Sequence, residues 1–447
     1  MAKLAHAQWS SRMTFVLAAA GSAVGLGNIW KFPYMVGESG GAAFVFVYLL
    51  CIGLIGLPIL VSEWLIGRRG QKNPASTMSE LARQANKSSM WAVVGISGII
   101  GAFLILSFYS VIGGWSLYYT LNSVTGTFSG QDADGIGALF NGMLSNPGLL
   151  LLGHSAFMLL VIGIVAQGVT KGLEGAVRIL MPVLALLLVV LIGYGMSTGH
   201  FGQALEYMFN PDWSKLSAET VLAALGHAFF TLSLGMGIMM AYGSYLGKEI
   251  NLLQTARTVI IMDTVIALGA GLAIFPIVFA NNLDLASGPG LIFVTLPLAF
   301  GNMDGGSLLG LMFFLLLTFA ALTSAISLLE PVVEFIEERT PLSRVMATVV
   351  AGVGAWALGI AALLSFNVWS EPLMFGMGVF DLLDTLTSKI MLPLTGLGAI
   401  LFAAWCLERK SVEAELGLSA TGVSVWNIIA RYVAPAGVIA VFVTGLI

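Results

Sequence analysis

Two Gly-x-Gly sequences interrupt long apolar segments that lie far apart in the chain, namely Gly25-Leu26-Gly27 and Gly235-Met236-Gly237. A helix in hydrocarbon must satisfy its own backbone groups, so a break is tolerated where the freed amides and carbonyls line a protected cavity. Such groups can bind an ionised small molecule together with cations. Corresponding breaks in two halves of a chain therefore predict a discontinuous-helix binding site in a membrane transporter.

Polar side chains occur at the same depth as the breaks, at Ser22, Asn28, Thr231 and Ser233. Asp263 lies in the apolar run VIIMDTVIALGAGLAIF, where a carboxylate is costly unless it faces a cation or a polar cavity. Hard cations prefer oxygen ligands of these kinds. The alternative is that the glycines serve close helix packing, since Gly21 and Gly25 form a small-xxx-small pair.

The composition is that of a polytopic membrane protein. The 447 residues are 58% hydrophobic and 9% charged, with a mean hydropathy of +0.94, which excludes an ordinary water-soluble fold. Cys51 and Cys406 lie within apolar runs and are expected to pack as small hydrophobes. The histidines are scattered, and no catalytic motif is present, so enzyme function is not expected; these histidines are His6, His154, His200 and His227.

We expect eleven spans of about 20 apolar residues or more, at residues 14–38, 42–67, 90–121, 149–167, 174–198, 221–247, 256–283, 306–338, 343–365, 376–408 and 425–446. Lys and Arg concentrate in alternate loops, which predicts a cytoplasmic amino terminus and a carboxyl terminus outside, in the plasma or inner membrane. The first span lacks a cleavage-like site and is expected to be retained, unlike a signal peptide. The chain is expected to form one domain over residues 1–447. Its repeats of opposite orientation are expected at 14–198 and 221–408, with an additional helix at 425–446.

Several long signatures resemble the neurotransmitter:sodium symporter family, in particular its bacterial branch for hydrophobic amino acids. They are Trp9-Ser10-Ser11-Arg12, GSAVGLGNIWKFPY, Ser62-Glu63-Trp64, AFFTLSLGMG and FAALTS at 319–324, and the resemblance covers essentially the whole chain. It implies an all-α membrane protein of the leucine-transporter type, with inverted five-helix repeats and broken first and sixth helices. It also implies sodium-coupled import of hydrophobic amino acids by alternating access.

The resemblance implies a substrate site. The amides of Leu26 and Gly27 and the hydroxyl of Tyr109 would meet the substrate carboxylate, and carbonyls at the breaks would meet its ammonium. Met236 is flexible, which favours a broad preference that includes aromatic substrates such as tryptophan. The alternatives are that Tyr109 is a packing aromatic and that Met236 is core filler. The full implied set is Ala23, Gly25, Leu26, Gly27, Ile105, Tyr109, Phe230, Thr231, Ser233, Met236, Ser324 and Leu328.

Two sodium ions are implied in the same way. The first would be bound by Ala23, Asn28, Thr231 and Asp263, and the second by Gly21, Val24, Ala320, Thr323 and Ser324. The hydroxyls of Thr323 and Ser324 could instead bond to their own helix. Tyr48, His227 and Ala267 resemble positions of a chloride site, but Ala267 lacks a hydroxyl and Asp263 supplies a fixed negative charge. We therefore expect no chloride requirement. A proton-coupled transporter of the same architecture is the alternative, with His227 as a candidate proton carrier.

Gating residues are also implied. Lys31 and Asp384 resemble the outer ion pair, with a lysine where arginine is commoner. At the inner end, the implied residues are Trp9 and Arg12, with Glu338 as the acidic partner and Tyr245 as the tyrosine that supports it. His6 stands where the family has arginine, so Lys3 or Arg12 could substitute for it. Gly172 and Pro182 resemble a motif at which the fifth helix unwinds locally. The alternative for the charges is a solvated loop face, and for Pro182 an ordinary early helical proline.

Overall fold

The computed structural model describes residues 8–283, 290–417 and 419–444, which form a bundle of α-helices. The helices are α1 (Arg12–Ala23), α2 (Gly27–Glu38), α3 (Ala42–Gly70), α4 (Pro74–Gln84), α5 (Ser89–Val124), α6 (Ala133–Leu144), α7 (Pro147–Val165), α8 (Val169–Ser197), α9 (Phe201–Phe209), α10 (Ala218–Thr231), α11 (Ile238–Ser244), α12 (Leu252–Ala280), α13 (Leu291–Gly301), α14 (Gly306–Arg339), α15 (Arg344–Leu364), α16 (Val379–Cys406), α17 (Arg409–Leu416) and α18, whose apolar part is Thr421–Ala440.

Within these described ranges, nine helices are long and apolar enough to cross a membrane, and α1 with α2 forms a tenth span that bends by 48°. The remaining expected span, 221–247, is divided between the shorter helices α10 and α11. The all-helical prediction is confirmed, although individual ends differ by a few residues. The fifth span begins at Val169 rather than at 174, because a π-helical turn extends it.

The first break lies between α1 and α2. The Ser11 hydroxyl caps the start of α1, and Val24 at its end is extended, with φ −74° and ψ 97°. Gly25 then passes so close to other side chains that an added Cβ would lie 2.3 Å from Ser324 Oγ and 2.9 Å from Tyr109 Oη. Only glycine allows the backbone to approach them so closely. The predicted break at Gly25-Leu26-Gly27 is confirmed.

The second break lies between α10 and α11. Ser233, Gly235 and Gly237 all have positive φ angles, of 53°, 74° and 70°. This left-handed conformation is unfavourable for most residues and is accessible to glycine. An added Cβ on Gly235 would also lie 2.3 Å from the carbonyl oxygen of Leu392. The Gly-Met-Gly sequence therefore ends one helix and re-aims the chain into the next.

The two breaks meet in the interior of the bundle. Ser22 Oγ lies 3.1 Å from Ser233 Oγ, and Thr231 Oγ1 lies 3.2 Å from Asn28 Oδ1. The long helix α14 packs beside them and is buried along most of its length, whereas only 28% of the most apolar stretch of α8 is buried. Backbone without helical hydrogen bonds is thus enclosed by protein, as a hydrocarbon environment requires. The boundaries of the two repeats remain a prediction.

Candidate functional site

A cavity with an empty volume of about 300 Å³ lies between the two breaks. It is lined by nearly all of the predicted substrate residues, namely Ala23, Gly25, Gly27, Ile105, Tyr109, Phe230, Thr231, Ser233, Met236, Ser324 and Leu328, together with Ser22. The structure thus brings together residues from α1, α2, α5, α10, α14 and the turn after α10. We refer to this space as the central cavity.

Leu26 is the exception. Its side chain lines a different cavity, because the bend between α1 and α2 turns it away from the central one. Its amide does face the site, and it donates a hydrogen bond to Tyr109 Oη at 3.2 Å. The Tyr109 hydroxyl therefore contacts the backbone of the first break, where it can bind the same ligand as the backbone amides there.

The apolar wall of the central cavity is formed by Ile105, Met236 and Leu328, each of which is buried. The opposite wall is polar. Ser233 Oγ donates to the carbonyl oxygen of Ser22 at 2.9 Å, and Ser324 Oγ donates to the same oxygen at 3.1 Å. The cavity can thus accommodate a molecule with one ionised end and one apolar end.

Asp263 lies at the centre of a buried hydrogen-bond network beside the cavity. Its Oδ1 accepts from Asn28 Nδ2 at 2.7 Å and from Thr231 Oγ1 at 3.0 Å. Its Oδ2 accepts from Tyr48 Oη at 3.3 Å. These donors come from α2, α3 and α10, so a carboxylate on α12 ties the two breaks together.

The same groups match the ligand preferences of a hard cation. Thr231 Oγ1 lies 3.2 Å from Asn28 Oδ1 and 3.0 Å from Asp263 Oδ1, whereas Asn28 contacts Asp263 through its amide nitrogen. Ala23 lines the adjoining cavity. Carboxylate, amide and hydroxyl oxygens suit sodium, and the carboxylate balances its charge. Ala267 is fully buried nearby on α12 and supplies no hydroxyl.

The second predicted ion site joins α1 to α14. Thr323 Oγ1 lies 3.5 Å from the carbonyl oxygen of Val24, but it also lies 3.1 Å from the carbonyl oxygens of Phe319 and Ala320 in its own helix. The side chain of Met181 occupies the space beside Gly21, since a Cβ added to Gly21 would lie 3.3 Å from the Met181 sulfur. The structure thus brings Thr323 beside Val24, while Thr323 also makes the helix-backbone contacts of the alternative interpretation, and the ion site stays a prediction.

A second cavity, with an empty volume of about 620 Å³, lies beyond the rings of Tyr109 and Phe230, which line both cavities. Lys31 and Asp384 line it, yet they are not within 4.0 Å of each other in the described part of the chain. Instead, Lys31 Nζ lies 4.8 Å from the centroid of the Phe230 ring, and Asp384 accepts from Ser388 at 2.8 Å. The two expected gate residues line this second cavity, which we call the vestibule, without forming an ion pair.

At the opposite end of the central cavity, Trp9 closes the bundle. Its indole N–H donates to the carbonyl oxygen of Tyr242 at 3.0 Å, and its ring packs edge-on against Tyr242 and Tyr245. Only 8% of Trp9 is exposed. The central cavity is therefore sealed at the end that carries the amino terminus.

The acid beside Tyr245 differs from the expected one. The Tyr245 hydroxyl donates to Glu330 at 2.8 Å, and Arg344 binds both Glu330 oxygens, at 3.0 and 2.5 Å. Glu338 lies about two turns further along α14 and accepts a hydrogen bond from the backbone amide of Asn73 at 2.8 Å. The expectation that Tyr245 supports Glu338 is therefore corrected, because the packing of α11 on α14 brings it to Glu330.

The other expected inner residues are placed as follows. Arg12 Nε donates to Thr255 Oγ1 at 3.3 Å, whereas Lys3 and His6 lie outside the described residues. Gly172 lies in the π-helical first turn of α8, where an added Cβ would lie 2.1 Å from the carbonyl oxygen of Ile164. Pro182 lies inside the same continuous helix. In this structure the segment from Gly172 to Pro182 is helical.

Sequence reasoning assigned no role to Glu63, Glu330 and Arg344. Glu63 Oε1 accepts from the amide of Gly235 at 2.8 Å, so it fixes the second break. A charge within an apolar span is a functional candidate by itself, and this signal is present at Glu63 and Glu330. The partner of each acid is distant in sequence and could not be found in the same way.

Apolar spans, two broken helices and a central cavity with polar and apolar walls define a multi-pass membrane transporter rather than an enzyme. The model of the Sodium:neurotransmitter symporter family matches residues 6–135 and 137–447. The chain belongs to this family. Members of this family are sodium-dependent transporters, so sodium use is part of the function of this protein.

Curated relatives and a solved structure agree with this assignment. A sodium-dependent transporter of Bacillus subtilis is 37% identical, over 97% of this chain and 96% of its own length. A sodium-dependent transporter of Haemophilus influenzae is 33% identical, over 98% of both chains. The crystal structure of MhsT in complex with L-phenylalanine is 44% identical, with a TM-score of 0.91 over 98% of this chain and 99% of that one. The fold is of the leucine-transporter type.

Proposed function

We propose that the protein is a symporter that uses sodium to import hydrophobic L-amino acids, including aromatic ones, by alternating access. The observation that carries this proposal is the central cavity, which joins an unwound polar backbone to an apolar wall. A zwitterion with an apolar side chain matches both walls. The similar protein MhsT was crystallised with L-phenylalanine, which supports the same class of substrate.

In this proposal, the substrate carboxylate lies at the first break, near the Tyr109 hydroxyl and the backbone of Gly25 and Gly27. The start of α2 provides amides and the positive end of a helix dipole, both of which favour an anion. The ammonium faces carbonyl and hydroxyl oxygens of Ala23, Phe230, Thr231 and Ser233. The side chain lies against Ile105, Met236 and Leu328, where the thioether of Met236 adapts to different shapes.

Sodium coupling follows from a shared ligand. One ion binds to Ala23, Asn28, Thr231 and Asp263 and also to the substrate carboxylate, so each ligand raises the affinity of the other by the same factor. A second ion binds between α1 and α14, to the set that includes Thr323. Binding of this ion draws the Thr323 hydroxyl away from its own helix.

Transport in this proposal does not require chloride, because Asp263 already supplies a fixed negative charge beside the first ion. Proton coupling is the alternative. His227 packs among aromatic rings, with centroids 5.8 Å from Phe32 and 5.2 Å from Tyr48. Neither of its ring nitrogens has a hydrogen-bond partner among the described residues. This environment favours sodium, rather than a proton on His227, as the coupled ion.

Alternating access would use the two ends of the bundle in turn. Closure of the vestibule brings Lys31 to Asp384 above Tyr109 and Phe230, while Trp9 and its neighbours separate at the other end. Unwinding of α8 between Gly172 and Pro182 then admits water to the second ion. The amino terminus is cytoplasmic in this scheme, so the vestibule faces outward.

Proteoliposomes test the proposal. Labelled phenylalanine, leucine and tryptophan should accumulate under an inward sodium gradient at constant pH, and accumulation should persist when gluconate replaces chloride. Potassium in place of sodium, and liposomes without protein, serve as controls. Uptake that follows a proton gradient equally well without sodium would reject the sodium-coupled mechanism. Failure of all three amino acids to compete with one another would reject the substrate class.

A further inference from the structure

A groove on the outer surface of the bundle runs between α3, α12 and α18, separate from both cavities described above. Its empty volume is about 820 Å³. Most of its wall is apolar and includes Leu57, Val61, Val425 and Ile429. The three helices are spans of a membrane protein, so this groove opens toward the lipid.

The groove contains one cationic side chain, Arg257, among the residues that line it. Arg257 lies about 7 Å along α12 from Leu252, at 1.5 Å per residue, and it is exposed. It makes no ion pair or hydrogen bond with any residue in the described ranges. By contrast, Arg68 on α3 pairs with Glu415 and donates to the carbonyl oxygen of Ile250 at 2.6 Å.

An uncompensated arginine near a membrane surface attracts anionic lipid headgroups, and its planar fork matches a phosphate in two hydrogen bonds. Two hydroxyl residues, Ser419 and Thr421, line the groove near the start of α18. Trp426 also forms part of the wall; it is only 6% exposed, and its indole N–H has no acceptor among the described residues. The groove therefore combines an apolar wall with a cation and donors for phosphate or ester oxygens.

The groove is also open beside Gly53, which lines it and is exposed. A Cβ added to Gly53 would meet no atom within 4 Å. Since the wall continues from there past Leu57 toward Arg257, the space is suited to a flexible chain that ends in an anionic group.

We propose that this groove binds one anionic phospholipid. Its phosphate pairs with Arg257, its glycerol and ester oxygens meet the donors at Ser419, Thr421 and Trp426, and one acyl chain lies along α3 and α18 toward Gly53. The site is independent of the substrate and ion sites, so its test needs no transport measurement.

The test uses full-length protein in nanodiscs that contain equal amounts of dioleoyl phosphatidylglycerol and dioleoyl phosphatidylcholine. Native mass spectrometry then counts the lipids retained after the disc is removed. We expect retention of one phosphatidylglycerol, preferred about tenfold over phosphatidylcholine. Arg257→Gln should reduce that preference at least fivefold, because it removes the charge and leaves a shorter polar side chain.

Gly53→Leu tests the apolar part of the groove, since the new side chain occupies the open space without touching the cation. It should reduce retention of both lipids in the groove. Trp426→Phe, which removes the indole N–H together with part of the ring system, should weaken phosphatidylglycerol retention about twofold to threefold. Lys171→Gln is the matched control, because Lys171 is another exposed cation in a span but does not line the groove. This variant should retain both lipids as the wild type does.

Equal retention of the two lipids by the wild type would overturn the proposal. So would a phosphatidylglycerol preference that survives both Arg257→Gln and Gly53→Leu. Thermal unfolding of each variant in the same discs identifies a folding defect, and if one of the two fails to fold, the other and Trp426→Phe decide the outcome.

Discussion

Replacement of Asp263 by asparagine removes the negative charge and keeps the shape of the side chain. Asparagine at this position can still accept hydrogen bonds from Asn28 and Thr231 through its carbonyl oxygen. Its amide nitrogen replaces the oxygen that accepts from Tyr48, so the Tyr48 hydroxyl has to accept a hydrogen bond there instead of donating one. The substitution therefore isolates the electrostatic contribution of the carboxylate to the proposed first sodium site.

The expected magnitude follows from the geometry. Thr231 Oγ1 lies 3.0 Å from Asp263 Oδ1. A hard cation contacts its oxygen ligands at about 2.4 Å, so an ion bound to Thr231 lies within about 5.4 Å of the carboxylate oxygen. At an effective dielectric constant of about 20, this upper limit on the separation corresponds to an attraction of at least about 3 kcal/mol. Its loss should weaken sodium binding by at least about 100-fold.

The assay is equilibrium binding of labelled phenylalanine by purified protein, measured over a range of sodium concentrations in gluconate and again in chloride. The half-saturating sodium concentration should rise about 100-fold in Asp263→Asn, and chloride should recover part of the loss. Asp134→Asn is the control, since it makes the same chemical change on the exposed helix α6. A sodium dependence of Asp263→Asn within threefold of the wild type would refute the electrostatic reasoning.

Three further variants test other parts of the site. Gly25→Ala should lower phenylalanine affinity at least tenfold without changing thermal stability by more than a few degrees, because the added Cβ falls 2.3 Å from Ser324 Oγ in the cavity; unchanged binding would show that the break adapts. Met236→Ala should alter leucine and tryptophan affinities by different factors in competition binding, and a uniform loss would argue against adaptation by this side chain. Asp384→Asn should leave sodium-dependent binding within twofold but slow proteoliposome uptake several-fold, because its pairing with Lys31 forms on closure; a matching loss in both measurements would contradict this order.

The broken helices could be predicted because their signals are local. Glycine lowers helix stability in the apolar runs that contain Gly25, Gly235 and Gly237. Polar residues beside these glycines indicate a binding site more than close helix packing alone. The position of Asp263 was informative for the same reason, since an intramembrane carboxylate needs a partner. The family resemblance then supplied nearly all of the residues that line the central cavity.

Contacts between distant segments could not be predicted equally well. Glu330 and Glu338 both lie on α14, about 12 Å apart at 1.5 Å per residue, and the sequence does not show which acid Tyr245 meets. Likewise, Leu26 lies in the break, but the 48° bend between α1 and α2 turns its side chain to the vestibule. Lys31 and Asp384 are both suited to a gate, yet their separation depends on how the whole bundle is arranged.

The sequence by itself determined where the chain crosses the membrane, where two of its helices break and which residue types surround the breaks. These properties depend on hydropathy and backbone preference over a few neighbouring residues. Only the tertiary structure decided which acid is paired, which cavity a side chain lines and which end of the bundle is closed. Those outcomes depend on the relative placement of whole helices, many of which are far apart in the chain, and packing energies summed over many side chains set that placement.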